Sequence, residues 1–94
     1  MKKNKSKTNG AKLITIEFDN AVAQTVNIAG SFNDWRPEAT DMIPLGNGRW
    51  RKQLTLAPGI YEYLFVADGR WIPDPSATES VRNPFGGVNS VLKI

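Results

Sequence analysis

Two tryptophans stand in polar, turn-rich stretches where a core residue is not expected. Trp35 ends the stretch GSFNDW at residues 30–35, and Trp71 lies in RWIP at residues 70–73. Each has an adjacent Arg and a Pro within two residues. Because Trp is usually well buried, this context predicts that both indoles lie at the rim of the domain. An exposed indole is a flat, rigid, amphipathic surface on which the C–H face of a pyranose ring can stack.

Three roles remain open for this pair of indoles on the residues alone. They could bind carbohydrate, in which case a nearby amide such as Asn89 would donate to and accept from adjacent sugar hydroxyls. They could instead serve only to pack the domain. A third role is contact with another protein, since aromatic residues are enriched at interfaces.

Catalysis by this chain is not expected. The 94 residues contain no His and no Cys, which removes imidazole bases, thiolate nucleophiles and the usual zinc sites. The carboxylates lie mostly in turns, and Glu17 and Glu62 are expected to face water on strands, so no pair is forced together by spacing. Gly86-Gly87 precedes a strand and not a helix, which argues against a phosphate-binding loop. The sequence therefore predicts neither an enzyme nor a metal or cofactor site.

The elements that must position these side chains are short strands separated by turn signals. No segment has a helical period, and Asp68-Gly69 is a strong hairpin signal. About seven strands in such a length predict an all-β fold, an antiparallel β-sandwich. The predicted strands are residues 13–18, 25–29, 42–45, 49–56, 60–67, 70–72 and 88–94.

Alternation along the strands indicates which aromatic residues are structural. Tyr61, Tyr63 and Phe65 share one face of their strand and are expected to pack in the core. Trp50 is also expected in the core, and Phe32 is expected to close one end of it. The two rim tryptophans thus remain as the candidates for binding.

Charge divides the chain into a tail and a domain. The net charge of +3 comes from five Lys among the first twelve residues, whereas residues 13–94 carry seven basic and nine acidic side chains. We therefore expect a disordered basic tail at residues 1–12 and a single domain at residues 13–94 that does not bind nucleic acid. With no apolar stretch for a signal or a membrane span, we expect a cytoplasmic protein.

Four stretches in order carry a resemblance to a known family. These are GSFNDW, GNGRW, PGIYEYLFVADGRWIPDP and GGVNSVLKI. Together they closely resemble the glycogen-binding domain of AMP-activated kinase β subunits. They are equally similar to the starch-binding early-set modules of branching and debranching enzymes, which form carbohydrate-binding module family 48. The resemblance runs from about Leu13 to Ile94 and implies an immunoglobulin-like early-set sandwich.

The resemblance also implies a site. In the family two tryptophans clamp an α-1,4-glucan, and they correspond to Trp35 and Trp71. A family asparagine that binds sugar hydroxyls corresponds to Asn89. A leucine that reaches through the curve of the glucan corresponds to Phe85, a larger apolar residue. The implied function is non-catalytic binding of glycogen, starch or malto-oligosaccharides.

Two rim positions depart from the kinase pattern. Leu64 stands where that pattern has Lys, and Gly87 stands where it has Thr, so two polar contacts are lost. This departure keeps an alternative open, a protein-interaction or regulatory module that has lost glucan binding. A further alternative is an accessory module of an amylase-type enzyme. The expected partners are an α-glucan and, beside it, a glucan-metabolising enzyme or kinase.

Overall fold

The computed structural model describes residues 10–94, which fold into eight strands and one short 3-10 helix at Pro37–Ala39. Most strand boundaries agree with the sequence prediction to within one residue. The strands are β1 Lys12–Asp19, β2 Val26–Gly30, β3 Ile43–Gly46, β4 Arg49–Leu56, β5 Ile60–Ala67, β6 Arg70–Ile72, β7 Ser80–Arg82 and β8 Val88–Lys93.

Two antiparallel sheets form the predicted β-sandwich. The first has the order β1-β4-β3. The second has the order β2-β5-β8-β7, with β6 also paired to β5. The prediction of an all-β, antiparallel sandwich is confirmed.

The core lies between the sheets and is built on the alternation of β5. Phe65 is fully buried and stacks on Phe18 of the opposite sheet, with ring centroids 4.2 Å apart. Tyr63 and Trp50 also belong to the buried cluster, as predicted. Phe32 packs against that cluster from the loop after β2, which agrees with its expected place at one end of the core.

Strand β5 carries three neighbours, and their arrangement positions the site. Strand β2 pairs along one edge of β5, from Gly30↔Tyr63 to Val26↔Ala67. The other edge is shared, since β8 pairs with residues 60–63 and β6 with residues 65–67. The strand ends of β6 and β8 therefore meet beside Leu64, on the face of β5 that points away from the core.

The segment after β6 is fixed by Asp74. Its Oδ2 accepts a hydrogen bond of 2.5 Å from the Tyr63 hydroxyl, and its backbone N–H donates to Ser90 Oγ at 2.8 Å. Burial first, and then the hydrogen bond to Asp74, raises the pKa of Tyr63 well above its usual range. The Tyr63 hydroxyl therefore acts as a neutral donor that ties this segment to β5 and β8.

The β5–β6 hairpin turn confirms the Asp68-Gly69 signal. Both residues have positive φ, 50° at Asp68 and 82° at Gly69, as a two-residue hairpin turn of type I′ requires. The Asp68 carboxylate accepts from the backbone N–H of Thr25 at 2.9 Å and of Gln24 at 3.0 Å. These bonds attach the hairpin to the chain just before β2.

Those bonds predict a pH dependence of stability. The backbone hydrogen bond from Thr25, followed by that from Gln24, holds the pKa of Asp68 below the ordinary value of 3.8. A lowered pKa in the folded state stabilises the domain at pH values above 3.8, and this contribution is lost as pH falls through the folded-state pKa. We expect Asp68→Asn to lower the free energy of unfolding at pH 7 and to flatten its decline below pH 4. Urea unfolding at a series of pH values checks this, and parallel curves for the two proteins would contradict it.

The sequence missed one strand. β7 has three exposed residues and no apolar alternation, and it is a strand only because β8 pairs with it, Val81 opposite Asn89. Of the predicted basic tail, residues 1–9 lie outside the described residues, and β1 already begins at Lys12. No helix among residues 10–94 is long and apolar enough to span a membrane.

Candidate functional site

The outer face of the second sheet collects the candidate side chains. Directly opposed residues of an antiparallel pair point to the same face, so Trp71 joins the face of its β5 partner Val66. Asn89 lies two residues before Val91, which opposes Glu62. The face therefore carries Trp71 from β6 and Asn89 from β8 around the even-numbered residues of β5.

Hydrogen bonds within GSFNDW explain its polar residues. The Gly30 carbonyl accepts from the backbone N–H of Asn33 at 3.0 Å and of Trp35 at 2.9 Å. The Asn33 side chain accepts from Gly30 N–H at 3.0 Å and donates to the Ile28 carbonyl and Thr40 Oγ1 at 2.9 and 3.0 Å. Asn33 therefore closes the turn that presents Trp35.

The same turn is held against β5. The Ser31 N–H donates to the Glu62 carbonyl at 2.9 Å, and Ser31 Oγ accepts from Glu62 N–H at 3.1 Å. A Cβ at position 30 would lie 2.6 Å from the Glu62 carbonyl, so only glycine permits this close approach. Asp34 and Trp35 both have φ of 58°, a left-handed conformation that bulky residues rarely adopt. The surrounding hydrogen bonds thus hold the backbone of Trp35 in a strained conformation. This conformation directs the indole toward the outer face of the second sheet.

A cleft of about 680 Å³ lies on this outer face. Its aromatic walls are Trp35, which is half-buried, Trp71, which is 49% exposed, and Phe85, which is 92% exposed. Pro84 and Leu64 complete the apolar lining, and Leu64 is only 8% exposed. The size lies within the range of small-ligand sites, and the walls are flat and apolar as a stacking site requires.

The polar side of the cleft is a chain of three side chains. Asn83 Nδ2 donates to Asn89 Oδ1 at 3.1 Å, and Asn89 Nδ2 donates to Glu62 Oε1 at 3.1 Å. Asn83 Oδ1 in turn accepts from the backbone N–H of Phe85 at 2.9 Å and of Gly87 at 3.1 Å. These hydrogen bonds connect the loop that carries Phe85 to the floor of the cleft.

The cleft brings together five of the six residues singled out from the sequence. Trp35, Trp71, Phe85, Asn89 and Leu64 all line it. Gly87 does not line it; this glycine is exposed, and its N–H donates to Asn83 Oδ1. Asn89 is 9% exposed, so its amide reaches the cleft from a partly covered position and with two of its hydrogen-bonding positions already used.

Glu62 adds an acidic side chain to this face. It points away from the core, as expected, but it is half-buried and lines the cleft. The cause is that β8, the Trp35 turn and the Phe85 loop cover a face that strand alternation alone leaves open. Among residues 10–94, no cluster of three or more carboxylate, His or Cys side chains could hold a metal ion.

The residues of this cleft fall within a match to a known family model. The model, described as the glycogen recognition site of AMP-activated protein kinase, matches residues 13–94. The chain belongs to this family of carbohydrate-binding modules. The match thus covers every residue that lines the cleft and all of both sheets except Lys12.

Relatives of the module are parts of larger proteins. A phosphoglucan phosphatase of Castanea sativa is 26% identical over 83 residues, which are 88% of this chain and 22% of that protein. The beta-1 subunit of 5'-AMP-activated protein kinase of Sus scrofa is 32% identical over 71 residues, 73% of this chain and 53% of the subunit. The chain thus spans about a fifth to a half of the length of these relatives.

A solved structure agrees on the fold. The crystal structure of a maltogenic amylase from S. marinus matches with a TM-score of 0.73 at 21% identity. The match covers 90% of this chain and 14% of the amylase. At this identity the comparison shows the sandwich fold of the module alone.

Sequence reasoning missed three residues of the module's cleft, Glu62, Asn83 and Pro84. Glu62 could have been found, because alternation places it on the same face as Leu64. The spacing of Asn83 before Phe85 fits an Asx turn, in which the side chain accepts from the backbone two residues on. Nothing in the sequence marked that turn as part of the site, since its contact with Asn89 depends on the pairing of β7 with β8.

Proposed function

We propose that this module binds α-1,4-glucans such as glycogen, starch and malto-oligosaccharides without catalysing a reaction on them. Trp35 and Trp71 stack on glucose rings, Asn89 hydrogen-bonds sugar hydroxyls, and Phe85 contacts the apolar side of the curved glucan. The observation that carries the proposal is that all four side chains line the same cleft, in a member of a glycogen-recognition family.

The expected affinity is modest. Aromatic stacking contributes about 1–3 kcal/mol for each ring, by analogy with stacking on nucleic-acid bases. One or two hydrogen bonds add about 1 kcal/mol each. These contributions sum to about 3–8 kcal/mol, and the middle of that range, about 4–7 kcal/mol, corresponds to a dissociation constant of about 10 μM to 1 mM. Such an affinity suits a polymer that offers the same unit many times, since repeated attachment raises the overall binding.

Isothermal titration with maltoheptaose tests the proposal. We expect a dissociation constant of about 10 μM to 1 mM, and no binding of cellohexaose, whose β-linked chain is straight and lacks the curvature of an α-1,4-glucan. β-Cyclodextrin, a closed α-1,4 ring, serves as a second ligand of fixed curvature. Absence of heat with both α-linked ligands at 10 mM would overturn the proposal.

A second candidate function is a protein-interaction or regulatory module. The observation that favours it is Phe85, which is 92% exposed at the mouth of an apolar cleft with Leu64 in its floor. The partner would be a glucan-metabolising enzyme or a kinase, and an accessory role beside an amylase-type catalytic domain falls in the same class. Capture of one stoichiometric partner from its own cell extract, unaffected by added maltoheptaose, would favour this function over glucan binding.

A further inference from the structure

The cleft contains one ionisable side chain, and it carries negative charge. Among the lining residues only Glu62 ionises, and neither ion pair formed within residues 10–94 includes it. Leu64, its neighbour on the same face of β5, supplies no compensating cation. A ligand in this cleft therefore meets an acidic group with no basic partner in the lining.

Glu62 also sets the direction of the hydrogen bonds around it. A carboxylate oxygen only accepts, so Asn89 must direct its NH₂ group toward Glu62. The Asn89 oxygen is already held by Asn83, which fixes the amide from both sides. What remains for a ligand is the second carboxylate oxygen of Glu62, one N–H and one lone pair of Asn89, one N–H of Asn83 and the indole N–H groups of Trp35 and Trp71. Glu62 is the one charged group among them, and its free carboxylate oxygen can be satisfied only by a donor such as a ligand hydroxyl.

We propose that Glu62 is a specificity-determining residue that makes the cleft select uncharged glucans over phosphorylated ones. This inference rests on the proposed function. A glucose hydroxyl donates to the carboxylate, whereas a phosphate group brings only acceptors and a second negative charge into a partly covered cleft. Like charges placed together in this way are a means of rejecting the wrong ligand. The ligands that fit this cleft best are neutral stretches of glucan, and a phosphate ester on the bound unit weakens binding.

Paired titrations test the inference. Binding of maltoheptaose is compared with binding of maltoheptaose that carries a 6-phosphate on every glucose unit, in the wild type, in Glu62→Gln and in Glu17→Gln. Glu17 is the control for net charge, because it carries the same charge at an exposed position of β1 in the other sheet, where it pairs with Arg51 at 3.3 Å. The glutamine at position 62 still accepts from Asn89, so the cleft is expected to stay folded.

We expect the wild type and Glu17→Gln to prefer the neutral sugar by about tenfold or more at low salt, with a smaller preference at high salt. In Glu62→Gln the preference should fall to about threefold or less, while the affinity for maltoheptaose changes by less than about threefold. Equal binding of both sugars by the wild type, or an unchanged preference in Glu62→Gln, would overturn the inference and leave glucan binding intact. Binding of neither sugar would instead overturn the proposed function, and this inference with it.

Discussion

Replacement of Trp71 by alanine is expected to weaken binding of β-cyclodextrin about 5- to 150-fold. The estimate corresponds to the loss of about 1–3 kcal/mol of stacking. Trp71 is the more suitable of the two indoles for this test, because it is 49% exposed and lies in a strand of only three residues, Arg70–Ile72. Its removal takes away a wall of the cleft while the opposed pairs of β5 and β6 stay in place.

Two further variants make the Trp71 result specific. Trp71→Phe keeps an aromatic face and should restore most of the affinity. Leu13→Ala removes an exposed apolar side chain from the other sheet and should bind as the wild type does. Intrinsic fluorescence or calorimetric titration gives the constants, and far-UV circular dichroism checks the fold. An affinity for Trp71→Ala within twofold of the wild type would show that the indole does not carry the binding.

Replacement of Phe65 by alanine is expected to lower the free energy of unfolding by about 3–5 kcal/mol. Phe65 is fully buried, stacks on Phe18 at 4.2 Å and meets Tyr63 edge-on at 5.9 Å. The change removes both ring contacts and leaves a cavity between the two sheets. For a domain of this size the loss is a large part of the total stability, so much of the population should unfold on mild heating.

Urea unfolding followed by fluorescence measures this change. Val22→Ala serves as a control, since the valine is exposed before β2 and its truncation should alter the free energy of unfolding by no more than about 0.5 kcal/mol. A loss below about 1 kcal/mol for Phe65→Ala would mean that the two sheets do not rely on this contact.

The sequence predicts the sandwich and its core because the signal for both is local. Alternation along β5 assigns Tyr63 and Phe65 to the core, and the Asp68-Gly69 turn fixes where β6 begins. The turn-forming residues of GSFNDW likewise predict a loop that places Trp35 at the rim of the domain and not in the core. Each of these inferences depends on neighbours within a few residues.

The cleft depends on pairings between distant residues, which the residues alone do not reveal. Trp71 and Asn89 meet because β6 and β8 share one edge of β5, and Asn83 reaches Asn89 because β7 pairs with β8. The resemblance to a family predicted, by analogy, that Trp35, Trp71, Phe85 and Asn89 belong to one site. It supplied neither Glu62 nor Asn83, so the acidic and amide side of the cleft came from the structure.

The departures from the kinase pattern change the relative importance of polar and aromatic contacts in the site. With Leu64 in the floor, the cleft has no cation, and its polar contacts reduce to Glu62, Asn83 and Asn89. Binding then depends on the aromatic walls to a greater degree than in a cleft with a lysine. The consequence is an expected preference for uncharged, curved glucan that presents its apolar face to Trp35 and Trp71.

The most direct measurement is a nuclear magnetic resonance titration of the three indole N–H signals with β-cyclodextrin. Trp50 is an internal control, since it is buried in the core and its Nε1–H donates to the Asn20 carbonyl at 3.3 Å. We predict that the signals of Trp35 and Trp71 shift and saturate together, with one dissociation constant between about 10 μM and 1 mM, while that of Trp50 stays in place. Three unmoved signals at 10 mM ligand, or a shift confined to Trp50, would contradict glucan binding in this cleft.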